Sequence, residues 1–169
     1  MECAGHLFEG RPVKKVDSLR ALLLATVPAL KANPHNLSLY VDKGAIGAIG
    51  TRALSFEITY TLTVWVQAFA GDPDTLFVPV LSWVAHNQPD LLDRAEHQPF
   101  TFESEVLDAT TSDIAIEIQL NERVRVDRLP NGKLRTTHID DVPRAIGFDG
   151  MDEGVHPWLG LLDDMVAGG

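Results

Sequence analysis

LSFEITYTLTVWVQAF, residues Leu54–Phe69, decides the fold. Every second residue is apolar: Leu54, Phe56, Ile58, Tyr60, Leu62, Val64, Val66, Ala68. Those between are mostly small and polar: Ser55, Glu57, Thr59, Thr61, Thr63, Gln67. Strand side chains alternate between faces, so the pattern lays one apolar stripe along one face. Its length predicts the central strand of a sheet. Trp65 and Phe69 interrupt the polar face, and at that end a covering element or a second subunit is expected.

Outward from this strand, the flanks read as helices and strands. Asp17 or Ser18 is placed to cap a helix carrying Leu19, Leu22, Leu23, Val27 and Leu30, which Pro28 should kink or shorten. Asn33-Pro34 stops it, and Leu37, Leu39 and Val41 suggest a strand. Lys43–Gly50, KGAIGAIG, reads as a glycine-rich loop leading into the central strand. Beyond it, Asp72 and Pro73 start a second helix with Pro79 inside, ended by Asn87-Gln88-Pro89. Residues 90–98 read as a loop. Phe100 and Phe102 mark a strand, joined by a short loop at Ala109–Asp113 to a long one. That strand carries Ile114, Ile116, Ile118, Leu120, Val124 and Val126 on one face. Pro130-Asn131-Gly132 turns it back into Lys133–His138.

The expected fold is α+β: two main helices packed on a largely antiparallel sheet with a long central strand and a projecting hairpin. The expected division is an N-terminal arm at 1–13, a domain at 14–139 and an acidic, glycine-rich C-terminal tail at 140–169. The tail carries isolated apolar groups, Trp158, Leu161 and Leu162 among them, and suggests a short docking helix.

Composition narrows the function classes. The chain has 169 residues, 45% of them hydrophobic, which suits one domain with a real core. Its single cysteine, Cys3, excludes an internal disulfide. The first residues lack a signal-peptide pattern, so an intracellular protein is expected, and no apolar run spans a membrane. A net charge of −10 argues against nucleic acid as a primary ligand, though not against a wall that DNA passes.

Chemistry-bearing motifs are sparse. Gly44, Gly47 and Gly50 have neither phosphate-loop nor dinucleotide spacing and precede a strand, not a helix. The six histidines lack metal-ligand spacing, and His86 and His97 only flank a loop. There is no G-x-S-x-G elbow. Asp140-Asp141 and Asp163-Asp164 read as solvated charges. The pattern asks for no cofactor, no metal and no catalytic residue. Two features favour assembly. One is the apolar pair Trp65 and Phe69. The other is a basic island in an acidic chain: Arg123, Arg125, Arg128, Lys133 and Arg135. Head-to-tail contacts between copies need two unlike, complementary surfaces.

Several segments carry a family likeness: Asp17-Ser18-Leu19-Arg20, Val41-Asp42-Lys43-Gly44, Leu54-Ser55-Phe56-Glu57, Tyr60-Thr61-Leu62, Val78-Pro79-Val80-Leu81-Ser82-Trp83 and Asn87-Gln88-Pro89-Asp90-Leu91-Leu92. Together with Phe100-Thr101-Phe102 and Glu122-Arg123-Val124, in that order, they resemble the tail completion protein R family of P2-like contractile-tailed phages. The resemblance spans about residues 14 to 128. It implies a structural virion protein of the tail–neck region, assembled in the host cytoplasm. It further implies a tail terminator: a self-assembled sixfold ring that caps the tube, stops tube and sheath polymerisation and joins the head–neck connector. DNA would only pass its bore. Another neck or tail component, such as a tube protein or head-completion adaptor, is the alternative, and an enzyme a more distant one.

Overall fold

A computed structural model describes residues 14–50 and 52–142. The expected arm at 1–13 and most of the expected tail, including Trp158, Leu161 and Leu162, lie outside the described residues. Helix α1 (Lys14–Thr26) starts before Asp17 and Ser18, so neither caps it. Asp17 instead sits in the first turn, where the helix dipole favours a carboxylate. Pro28 forces the residue before it out of helical geometry, and Val27 is extended (φ −87°, ψ 114°). The chain restarts as the short α2 (Pro28–Ala32), with Pro28 at its first turn.

Strand β1 runs Leu37–Ala48 and pairs antiparallel with β2 (Phe56–Phe69), as far as Ala48 opposite Phe56. KGAIGAIG is therefore strand through Ala48, not the loop that its glycines suggested. Low intrinsic strand preference is overridden by the ladder that β2 offers. A bulge between Val41 and Lys43 absorbs Asp42. After β2, Pro73 already has helical dihedrals, so Asp72 is the capping residue of α3 (Asp74–Asn87). Its carboxylate accepts the N–H of Asp74 at 3.0 Å, as the sequence leads one to expect. Pro79 is accommodated inside the helix and is buried.

Strand β3 (Thr101–Val106) hydrogen-bonds to one end of β4 (Ser112–Arg128), and β5 (Leu134–Ile139) to the other. The five strands are antiparallel, in the order β1-β2-β4-β3 with β5 on the same edge of β4 as β3. Beyond Val124, which faces Phe56 at the start of β2, β5 is the one described strand that β4 pairs with. The pair projects as a two-stranded hairpin, closed at Gly132 (φ +81°), a backbone conformation that glycine adopts without strain. The architecture is the expected α+β one.

Both main helices lie on one sheet face. Leu19 and Leu23 of α1 and Leu76, Val80, Trp83 and Val84 of α3 are buried there. They meet Leu62, Val64 and Val66 of β2 and Ile114, Ile116 and Ile118 of β4. Trp83 ties the helices together: its indole N–H donates to Ser18 Oγ at 3.0 Å. The face carrying Glu57, Thr59, Thr61, Trp65, Glu117 and Gln119 has no described helix over it. No described helix is long and apolar enough to cross a membrane.

Candidate interaction surfaces

The sequence placed Trp65 and Phe69 together on the outer face, and the structure separates them. A bulge lies between Val66 and Phe69, opposite Ile114 and Ser112, so β2 spends one extra residue there. Ala68 takes a positive φ of 46° to make it. The extra residue reverses the alternation, and Phe69 turns into the core at 3% exposure. It leaves the outer-face surface. Trp65 stays on that face, half-buried, and its Nε1 is shielded without a hydrogen-bond acceptor among the described residues. The pairing places it in a row with Ser38 of β1, Ala115 of β4 and, beyond Ala115, Glu103 of β3.

The basic island is brought together only in part. Arg123, Arg125 and Arg135 share the outer face of the hairpin; Arg128 has the opposite parity, and Lys133 sits at the turn. Arg125 and Arg135 both reach Asp127, at 3.2 and 3.6 Å, while Arg123 reaches Asp141 at 3.3 Å. The three guanidinium groups are about half exposed, so these pairs are worth at most about 1 kcal/mol each and leave N–H donors free.

At the opposite end of β4 the charge changes sign. Residues 101–117 hold Glu103, Glu105, Asp108, Asp113 and Glu117 and no Lys or Arg. Glu103, Glu105, Asp113 and Glu117 fall on the outer face. Asp108 lies in the turn, where its carboxylate accepts both N–H and hydroxyl from Thr110 and Thr111. The Thr110 N–H leads in holding its pKa down to about 2, followed by the Thr111 hydroxyl, the Thr110 hydroxyl and the Thr111 N–H. On the helix side of β3, Phe102 stacks against Phe77 of α3 with ring centroids 4.7 Å apart, and remains 54% exposed.

A buried polar group that the sequence reading did not single out fills a gap in the sheet. Between its pairings with β3 and β5, residues 118–122 of β4 have no described strand along that edge. Gln88, at the end of α3 and 2% exposed, takes the place of one. Its Oε1 accepts the backbone N–H of Asn121 at 3.2 Å, and its Nε2 donates to the side chains of Asn121 and Asp90. The Lys15 ammonium donates to the Asn121 carbonyl at 2.8 Å, to Gln88 Oε1 at 2.7 Å and to Asp141 at 2.8 Å, which satisfies its three protons.

Beside it, Glu122 is 5% exposed on the core face. Its carboxylate accepts the Tyr60 hydroxyl at 2.7 Å and lies 2.9 Å from His138 Nδ1. Burial, then the hydrogen bond to Glu122 and its charge, push the Tyr60 pKa above its usual range. A Tyr–Glu–His set resembles acid–base machinery, but Tyr60 and Glu122 are buried, and the Tyr60 hydroxyl and both Glu122 oxygens are engaged within the set. A signal was present: Lys15 and Glu122 are charged residues at positions where the helical and strand periods point inward.

A recess of about 460 Å³ on the outer face is lined by Lys43, Glu57, Asp90, Arg94 and Gln119, among others. Three of its charges are partnered: Arg94 with Asp90 and with Gln119, and Glu57 with Asn121. Among the described residues, no group of three or more His, Cys, Asp or Glu is arranged to hold a metal.

Comparison with known proteins supplies the identity. The sequence profile of the family described as P2 phage tail completion protein R (GpR) matches residues 13–143. The tail completion protein R of Escherichia phage P2 is 41% identical over 131 residues, which cover 76% of this chain and 84% of that protein. No solved structure matches the chain. The match takes in all the described secondary structure, and the chain belongs to the P2 phage tail completion protein R family, as a structural component of the phage tail.

Proposed function

We propose that the protein finishes the tail as a terminator: a homohexameric ring that caps the tail tube, halts tube and sheath growth, and presents the joining surface for the head–neck connector. The observation that carries this reading is the fold's asymmetry. Helices cover one sheet face, no described helix covers the other, and β4 bears opposite charge at its two ends. A subunit that meets unlike neighbours needs unlike surfaces, and a cap stops growth when its far face lacks the complementarity of the near one. Sixfold repetition turns weak subunit contacts into strong total binding. Trp65 and the Arg123–Arg135 hairpin supply contacts within the domain, and Trp158, Leu161 and Leu162 act as a docking arm for sheath or connector. The acidic balance suits a bore that DNA passes without sticking. In this reading the protein is no enzyme, needs no cofactor, and resides in the tail–neck region of the virion after assembly in the host cytoplasm.

Electron microscopy of tail tubes assembled with and without the full chain tests the proposal. The expected result is a ring at one tube end and tubes of fixed length. A protein that never binds tubes but binds portal-bearing heads is a head-side adaptor, and the capping function is then wrong.

A further inference from the structure

We infer that the outer sheet face around Trp65 is the receptor for the arginine hairpin of a second copy of this chain. The inference rests on the ring reading above and names the surfaces through which copies meet. Three observations carry it. The first is that this face is free of any described helix, yet presents an aromatic side chain in a row with Ala115 and Glu103. Indole and guanidinium attract one another through the ring quadrupole, and Trp and Arg are enriched where binding energy concentrates.

The second is the segregation of charge. Residues 101–117 hold five acidic side chains and no Lys or Arg, whereas residues 125–135 hold Arg125, Arg128, Lys133 and Arg135 against Asp127 alone. In a chain of net charge −10, that hairpin is the segment that another copy's acidic corner would attract.

The third is reach. Ala115 and Arg125 lie ten residues apart on one continuous strand. At about 3.4 Å per residue they are roughly 34 Å apart, so the hairpin cannot fold back onto its own receptor. The surfaces complement one another only between copies. Arg125 and Arg135 are held side by side by Asp127, which presents their free N–H groups together to the carboxylates of Glu103, Glu105 and Glu117.

Charge exchange tests this. Two full-length variants, Glu103→Lys/Glu105→Lys and Arg125→Glu/Arg135→Glu, are followed by sedimentation up to about 1 mM, which populates contacts as weak as a millimolar Kd. All four side chains are exposed, so both variants should fold. The wild type is expected to self-associate, and less so as salt rises. Each variant alone should associate at least about tenfold more weakly, because like charges then meet. Their equimolar mixture should recover association, because each variant complements the other at both surfaces. Variants that associate like the wild type, a mixture that does not recover, or a wild type that stays monomeric throughout would each overturn the inference. None of these touches the capping proposal, which is decided by the tube-end ring.

Discussion

Replacing Gln88 by Met keeps the volume of the side chain and removes its hydrogen bonds. Four groups lose a partner: the Asn121 N–H, the Asn121 side-chain carbonyl, the Asp90 carboxylate and the Lys15 ammonium. Gln88 is 2% exposed and the Lys15 side chain 11%, so water is restricted on that side, while the Asp90 carboxylate, 55% exposed, regains solvent. An unsatisfied buried backbone donor costs about 1–3 kcal/mol, and a hydrogen bond to a charged group is worth about 1.5–3 kcal/mol. The two overlap, so the expected loss is roughly 3 kcal/mol, a large part of a domain stability of about 5–15 kcal/mol. For a chain of this size each kcal/mol moves Tm by about 2–4 °C, so a fall of roughly 10 °C is expected by circular dichroism. Urea unfolding should show a lower midpoint at unchanged slope. Lys15→Met loses less in the Gln88→Met background than in the wild type, with a coupling of about 1 kcal/mol or more. A Gln88→Met midpoint within about 0.5 kcal/mol of the wild type, or additive double mutants, would refute the idea that Gln88 and Lys15 together close the sheet.

Two further outcomes follow from the same structure. Phe69→Ala should cost about 3–5 kcal/mol, because the bulge turns the ring into the core, while Gln67→Ala on the exposed strand should stay within about 0.5 kcal/mol; comparable urea midpoints for the two would mean that Phe69 faces outward. Tyr60 holds its proton more tightly folded than unfolded, so its contribution to stability is complete below the unfolded value of about 10 and declines as the pH rises above it. In a Tyr40→Phe background, where Tyr60 is the one remaining tyrosine, tyrosinate absorbance should rise only together with the loss of ellipticity, and a separate earlier rise would place Tyr60 in solvent.

How much could be read beforehand depends on the range of the interaction. The Asp72–Pro73 helix start, the Asn131-Gly132 turn and the alternation of β4 are set by neighbours a few residues apart, and all were legible. The strand in KGAIGAIG was not, because its ladder partner, not its own residues, makes it a strand. The bulge before Phe69 was not, because nothing in Val66-Gln67-Ala68 signals an extra residue; Ala68 pays for it with a positive φ. Phe69 was therefore grouped with Trp65 on a face that it does not occupy. Of the basic island, parity along the strand sufficed to put Arg123 and Arg125 on one face, but Arg135 joined them only through the β4–β5 register. The Lys15–Gln88 closure joins residues 73 apart in sequence, beyond any local pattern.

The gap in β4 also bears on assembly. An open stretch of strand in a sheet is a template for any passing strand, and proteins blunt such edges with side chains or cover. At Asn121 the inward-folded Gln88 and Lys15 take both the N–H and the C=O that would otherwise recruit a neighbour. Among the described residues, the strands on that side with an unpaired edge are β3 at the acidic end and β5 at the basic end. The closure thus restricts where a second copy can approach, and leaves the two charged ends as the places that differ. Stability and assembly are then separable on one strand. Changes at Gln88 should move Tm without altering which surfaces pair, and charge exchange at Glu103 and Arg125 should alter pairing while leaving Tm nearly unchanged, since exposed substitutions of this kind stay within about 0.5 kcal/mol.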